Sequence, residues 1–188
     1  MRNLSDQEII DSVKKGNDTD YSILVDRYKN KAFSMLKRML KNQFDAEEIL
    51  QDCFLKAYNS LNSFKGEAKF STWFYRIVYN TALTKLSSKK RKTESEMSSV
   101  EDHFDLQSEY NVDDIEKKDI QELIQDTINT LPERYAAVIN LFYLNEMSIE
   151  EISEVMGISI TNAKVLLHRS RNSLRDLIIN SKLAEELI

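Results

Sequence analysis

Turn-forming residues are nearly absent from this chain: three glycines and one proline among 188 residues. Sheets need tight turns with Gly, Asn-Gly or Pro at defined places. Phosphate-cradling loops need clustered glycines. Long helices joined by short polar connections need neither, so the scarcity selects an all-α fold. There is no 18-residue apolar run and no signal-peptide core, which predicts a soluble, cytoplasmic protein without membrane insertion. Cys53 is the single cysteine, and His103 and His168 lie far apart. An internal disulfide is excluded, and neither a metal site, a cofactor nor a Cys/His catalytic pair is expected.

The periodicity divides the chain. "DQEIIDSVKKG" forms a helix capped by Ser5 or Asp6 and ended by Gly16. Residues 20–40 place Leu24, Tyr28, Phe33, Leu36 and Leu40 at three-to-four spacing. In "FDAEEILQDCFLKAYNSL", Asp45 is read as the N-cap and Ile49, Phe54, Leu55 and Tyr58 as the apolar stripe. The loop "NSLNSFKGEAKF" follows, and Ser71 is read as the cap of the next helix. From Thr93 to Asp113 the composition turns acidic and Ser-rich, as in a flexible linker; its Met97, Phe104, Leu106 and Tyr110 could also dock. Helical patterning restarts near Ile115, and Pro132 suits the first position of a further helix. Three units result: an N-terminal helical domain over 1–92, a linker over 93–114 and a C-terminal domain over 115–188.

The net charge of −5 hides an asymmetry. Between Lys69 and Lys92 stand seven Lys/Arg and no acid; between Glu94 and Asp119 stand ten acids and two bases. The segment from Lys164 to Lys182 is basic again. Two cationic zones therefore flank an acidic middle.

The second zone has a recognisable frame. Ser148 and Glu151 form a capping box before Ile149, Ile152 and Val155. Gly157 supplies a turn with positive φ, and Ser159 caps a second helix whose inner face is Ile160, Ala163, Leu167, Leu174 and Ile178. This is the helix-turn-helix plan, with Ser159, Thr161, Asn162, Lys164, Val165, His168, Arg169 and Arg171 turned toward duplex DNA. An αα-hairpin with a solvated charged face is the plainer alternative, and the basic second helix beside an acidic first one favours DNA.

The first zone contains "KFSTWFYRIVYNTALTK". On a helical wheel Phe74, Ile77, Val78 and Ala82 share a broad core side, with Tyr75 and Tyr79 open between core and surface. Thr72, Arg76 and Asn80 form a strip bordered by Trp73 and Thr84, and the strip leads into Lys85 and the Lys89–Lys92 run. Cations along phosphates and bases stacked on an aromatic face are how single strands are held.

These two segments together resemble an extracytoplasmic-function (ECF) sigma factor, the two-domain group of bacterial sigma factors. "DAEEILQDCFLKAYNSLNSFKGEAKFSTWFYRIVYNTA" is similar to the family's first domain and "LPERYAAVINLFYLNEMSIEEISEVMGISITNAKVLLHRSRNSLR" to its second. The resemblance implies that Asp45, Glu47, Glu48, Gln51 and Asp52 grip the polymerase clamp. It implies that Asn62, Ser63, Phe64, Lys65, Gly66, Phe70, Thr72, Trp73, Arg76, Asn80 and Lys85 read a melted −10 element, where one base is flipped into a pocket. It makes the helix-turn-helix the −35 reader. Implied partners are core RNA polymerase, promoter DNA as duplex and non-template single strand, and an anti-sigma factor. The family pattern Thr-Val-Lys-Ser-Arg is replaced by Asn162, Ala163, Lys164, Val165 and Leu166, which trades polar contacts for aliphatic surface suited to a thymine methyl. Thr84 stands where the family often has Asp.

Three functions compete on the residues alone: a promoter-specificity factor without catalysis, a helix-turn-helix regulator with a sensor half, and an acidic helical adaptor. An enzyme is least supported, since no paired carboxylates, nucleophile–base pair or phosphate loop can be assigned. The single-strand strip favours the first, because a plain regulator has no use for it.

Overall fold

A computed structural model describes residues 4–97 and 130–180. Among these residues every regular element is helical: α1 (Asp6–Lys14), α2 (Tyr21–Leu40), α3 (Gln43–Ser60), α4 (Phe70–Met97), α5 (Glu133–Ile139), α6 (Ile149–Met156) and α7 (Ile160–Asn180). Short 3₁₀ turns, Asp18–Asp20 and Leu61–Ser63, precede α2 and follow α3, and a π-helical turn, Asn140–Leu144, extends α5. The linker residues beyond Met97 and the amphipathic stretch with Ile120, Leu123, Ile124 and Ile128 lie outside the described residues. Helix α4 continues to Met97, past the composition break at Thr93.

Local chemistry sets most helix ends. Ser5 accepts from the Glu8 amide while Glu8 reaches back to the Ser5 amide, closing a capping box. The Ser148–Glu151 box opens α6 in the same way, and Gly157 ends α6 at φ +64°. Ser159 caps α7 by accepting from the Asn162 amide at 3.2 Å. Three expected starts shift. Asn42, not Asp45, caps α3, with its side chain accepting from the Asp45 amide at 3.0 Å. Helix α4 starts at Phe70, and the Trp73 amide donates to the Lys69 carbonyl, so Ser71 lies inside the helix. Pro132 occupies the N-cap of α5, one position before the first helical residue.

The packing centres on α2 and α4. Helix α2 packs against α3, α4 and α5, and α4 also receives α3 and α6. Helix α7 packs on α5 and α6. One continuous apolar cluster runs from Ile9 and Ile10 through Leu24, Leu36 and Phe74 to Ala137, Ile152, Val155 and Leu167. The two halves of the chain therefore share one core. Each fully buried Ile, Val or Phe is worth about 1.5–3 kcal/mol. The Lys69–Glu151 pair, at 2.9 Å with Lys69 exposed and Glu151 partly buried, joins α6 to the start of α4 and is worth about 1 kcal/mol. Apolar burial, not the ion pair, holds the halves together.

Tyr75 and Tyr79, open in the sequence, are both 1% exposed and belong to the core. Two stripe positions differ from expectation. Leu55 and Tyr58 are exposed at 61% and 37%, because α3 meets α2 and α4 through Ala46, Ile49, Cys53, Phe54 and Ala57. Ile160, expected on the inner face of α7, is 44% exposed in its first turn.

Candidate nucleic-acid interface

The loop between α3 and α4 is braced from behind. Lys14 of α1 donates to the Phe64 carbonyl at 2.7 Å, and Gly66 turns the chain at φ +73° with the Gln7 side chain close by. A Cβ at that φ would be strained whatever the space. Phe64, Phe70 and Trp73 form a ring cluster with centroids 5.1–6.0 Å apart, and Phe70 continues onto Phe74. Phe64 and Phe70 are buried, while Trp73 stays partly open at the cluster's rim.

An open cavity of about 500 Å³ lies at this rim. Ser63, Phe64, Lys65, Gly66, Glu67, Ala68, Trp73 and Arg76 line it, together with Glu154 from α6. The loop and the exposed strip are thus brought to one place. Asn62, Ser63, Lys65, Gly66, Arg76 and Asn80 are exposed. Thr72 is not part of the exposed strip: it is 3% exposed, and its hydroxyl has no hydrogen-bond partner among the described residues. The wheel placed Thr72 outward because it could not include the second half of the chain, which packs on α4.

Lys85 has a different setting. Its ammonium lies 2.7 Å from Glu48 and 3.2 Å from Asp45, and Lys89 also pairs with Asp45. These cations hold the Asp45 carboxyl below the usual carboxylate range, with the Lys89 hydrogen bond the largest cause. The α3 acids and the cationic end of α4 therefore form one network. Beyond it, Glu47, Gln51 and Asp52 are exposed, and so are two apolar side chains, Phe44 at 81% and Leu55 at 61%. Spacing could have flagged them: Phe44, Glu48, Gln51 and Leu55 recur at three to four residues on one side of α3.

The recognition-helix candidates on α7 are open. Ser159, Thr161, Asn162, Lys164, Val165, His168, Arg169 and Arg171 are all exposed. Val165, Leu166, Asn162 and Arg169 border a cavity of about 530 Å³ whose other wall is Pro132, Arg134 and Tyr135. Arg171 is engaged away from the helix start: its Nε donates to the Tyr143 hydroxyl at 2.8 Å, and its guanidinium lies 5.0 Å over the Phe142 ring. His168 Nε2 lies 3.2 Å from the Asn172 amide nitrogen.

The single cysteine is poorly placed for covalent chemistry. Burial pushes the Cys53 thiol up to about 11, so the nucleophilic thiolate is scarce. No group of three or more His, Cys, Asp or Glu that could hold a metal occurs among the described residues. No helix among them is long and apolar enough to cross a membrane.

An all-α chain with a helix-turn-helix at one end and a cationic aromatic surface at the other belongs to the helical nucleic-acid-binding proteins. The comparisons narrow that class. The Sigma-70 region 2 model matches residues 24–92, and the Sigma-70, region 4 model matches residues 121–174. The ECF RNA polymerase sigma factor SigW of Bacillus subtilis is 35% identical over 88% of this chain and 92% of its own length. The ECF RNA polymerase sigma-E factor of Escherichia coli K12 is 30% identical over 91% and 93%. The fold is similar to the sigma factor RpoE of Bartonella quintana, solved with the anti-sigma factor NepR: TM-score 0.64, 20% identity, 86% of this chain and 98% of that one. It is also similar to CnrH, solved with the cytosolic domain of CnrY: TM-score 0.66, 21% identity, 94% and 99%. The chain belongs to the ECF sigma factors, which direct promoter-specific transcription initiation by RNA polymerase.

Proposed function

We propose that this sigma factor reads its promoter through two surfaces of different kinds. The α3–α4 loop with Trp73, Arg76 and Asn80 takes the melted −10 strand. The open face of α7, with Thr161, Asn162, Lys164, Val165, His168 and Arg169, takes the −35 duplex. The observation that carries this reading is the cavity at the Trp73 rim, where a partly open indole stands beside Arg76 and Lys65. A flipped base costs a few kcal/mol, which stacking at about 1–3 kcal/mol per base and edge hydrogen bonds offset. Phe64, Phe70 and Thr72 act from within, by shaping the rim rather than by stacking, since they are buried. Lys85 ties α4 to α3 and reaches phosphate only at the edge of that network.

Core polymerase is gripped by the exposed side of α3, where Glu47, Glu48, Gln51 and Asp52 carry charge and Phe44 and Leu55 add apolar contact. Asp45 serves mainly to anchor Lys85 and Lys89. The protein acts in the cytoplasm, has no catalytic activity of its own and is held in check by an anti-sigma factor. The functional units are residues 1–92, carried on by α4 to Met97, and residues 115–188. Transcription by purified core polymerase with and without the chain tests the reading. The expected result is specific transcripts only when the chain is added; transcripts independent of it refute the reading.

A further inference from the structure

Helix α1 belongs to neither of the surfaces proposed to read DNA. It buries Ile9, Ile10 and Val13 in the core and touches the Leu61–Ser63 turn. Gln7, Asp11 and Lys14 recur at i, i+4 and i+7, so they share a second, polar stripe. That stripe is directed at the α3–α4 loop. The Lys14 ammonium donates to the Phe64 carbonyl at 2.7 Å, across 50 residues of sequence. The Phe64 amide donates to the Leu61 carbonyl at 3.1 Å, so the backbone is held on both sides of this residue. Two residues on, Gly66 takes φ +73°, and Gln7 Oε1 lies 3.5 Å from where a Cβ would stand. Gln7 is itself oriented, since its Nε2 donates to Asp11 at 2.9 Å. Ser63, Phe64, Lys65, Gly66 and Glu67 all line the strand cavity, whereas Gln7 and Lys14 do not. The stripe stands behind the loop, where it holds backbone without touching a base.

We propose, resting on the strand surface proposed above, that α1 is the positioning element of the −10 reader. Lys14, through the Phe64 carbonyl, and Gln7, behind Gly66, fix the loop so that its cavity discriminates among −10 bases. Loop backbone is ordinarily mobile. A carbonyl tied to a cation is less so, because a charge-assisted hydrogen bond is stronger than a neutral one. A cavity selects one base over another only when its walls are held in place before the base arrives. A slack loop still offers Trp73 for stacking and Arg76 and Lys65 for phosphate, and neither contact distinguishes bases strongly. Loss of the brace therefore lowers selectivity more than activity.

The test uses the full chain in holoenzyme and a promoter library whose −10 element is randomised behind one −35 sequence that supports chain-dependent starts. Transcripts are counted by sequencing. Lys14→Met keeps most of the side chain's length and removes its donor and charge. In this variant the preference for the best −10 sequence over its single-base variants should fall about three- to tenfold, as one lost hydrogen bond implies. Total transcription should fall less, preference at a randomised −35 element should be unchanged, and Lys14→Arg should restore the −10 preference. Gln7→Ala should relax the same positions by a smaller factor. Thermal melting followed by circular dichroism sets an assay temperature at which every variant is folded. An unchanged −10 preference in Lys14→Met overturns the proposal. So does an equal loss of transcripts on all −10 sequences, which is what lost stability alone would give. If the parent itself shows no −10 preference, the strand-reading surface fails and the brace falls with it.

Discussion

The two surfaces proposed to read DNA are built on opposite plans. At α7 the proposed reader is an open helix face: Ala163 and Leu167 are buried in the core, and Thr161, Asn162, Lys164 and Val165 are exposed. At α4 the reader is a recess: aromatic rings stack inward from Trp73 to Phe74, and only the rim is open. The difference follows from the targets. A duplex already displays base edges in its major groove, so a convex helix reaches them without deforming anything. An unpaired base has lost its stack, so the protein must supply a replacement surface and a cavity to hold it. Similar cationic composition in the two zones thus serves two geometries.

The largest expected effect breaks the recess. Trp73→Ala removes the one partly open ring, and loss of about 1–3 kcal/mol of stacking should lower promoter opening roughly 5- to 150-fold. Binding of the −35 duplex should be nearly unchanged, and circular dichroism should show a native helical spectrum. Trp73→Phe should recover part of the activity. Equal loss of duplex binding would erase the distinction between the surfaces.

Next comes the helix. Lys164→Ala should weaken duplex binding about equally on all sequences and reduce the salt slope by about 1, as expected for one lost phosphate contact. Opening of a promoter already held in the complex should be untouched. Asn80→Ala sharpens the first comparison: Asn80 is exposed, so its loss should slow opening several-fold without lowering thermal stability.

Two smaller effects concern stability. Gly157→Ala meets no atom within 4 Å but must adopt φ +64°, so about 1 kcal/mol of strain should lower Tm by a few degrees. The second is acid sensitivity at the junction of the halves. Burial raises the Glu151 carboxyl, but the Ser148 amide and Lys69 outweigh it and leave it below its ordinary 4.5. A depressed carboxylate contributes stability that is present above its ordinary value and lost as pH falls through the folded one. Wild type should therefore lose stability on acidification below about pH 4.5, and Glu151→Gln should lose less, as acid titration followed by circular dichroism would show.

The amount legible in the sequence varies with the range of the forces. The Ser148–Glu151 capping box, the left-handed Gly157 and the Ser159 cap depend on residues within four positions, and each stands where the spacing placed it, while at α1 the spacing offered Ser5 or Asp6 and the structure has Ser5. The exposure of the α7 face proposed for duplex DNA was equally legible, because charge and periodicity agree there. What failed was long-range. Thr72 is buried and Leu55 is open because of which neighbours α4 and α3 acquire. A wheel drawn for one helix carries no record of its partners. The seating of α6 on α4 joins segments some 80 residues apart, and nothing in either stretch announces it. Asp45 shows the intermediate case: its acidic first turn was visible, but its ties to Lys85 and Lys89 required the fold.

The most direct test of two-surface promoter reading is to map start sites on a randomised promoter library, using core polymerase with and without the chain. The account predicts chain-dependent starts that share two sequence elements at a fixed spacing. Asn162→Ala should relax only the upstream element, and Trp73→Ala should lower opening at all of them. Chain-dependent starts sharing a single element, or both variants degrading the same one, would contradict it.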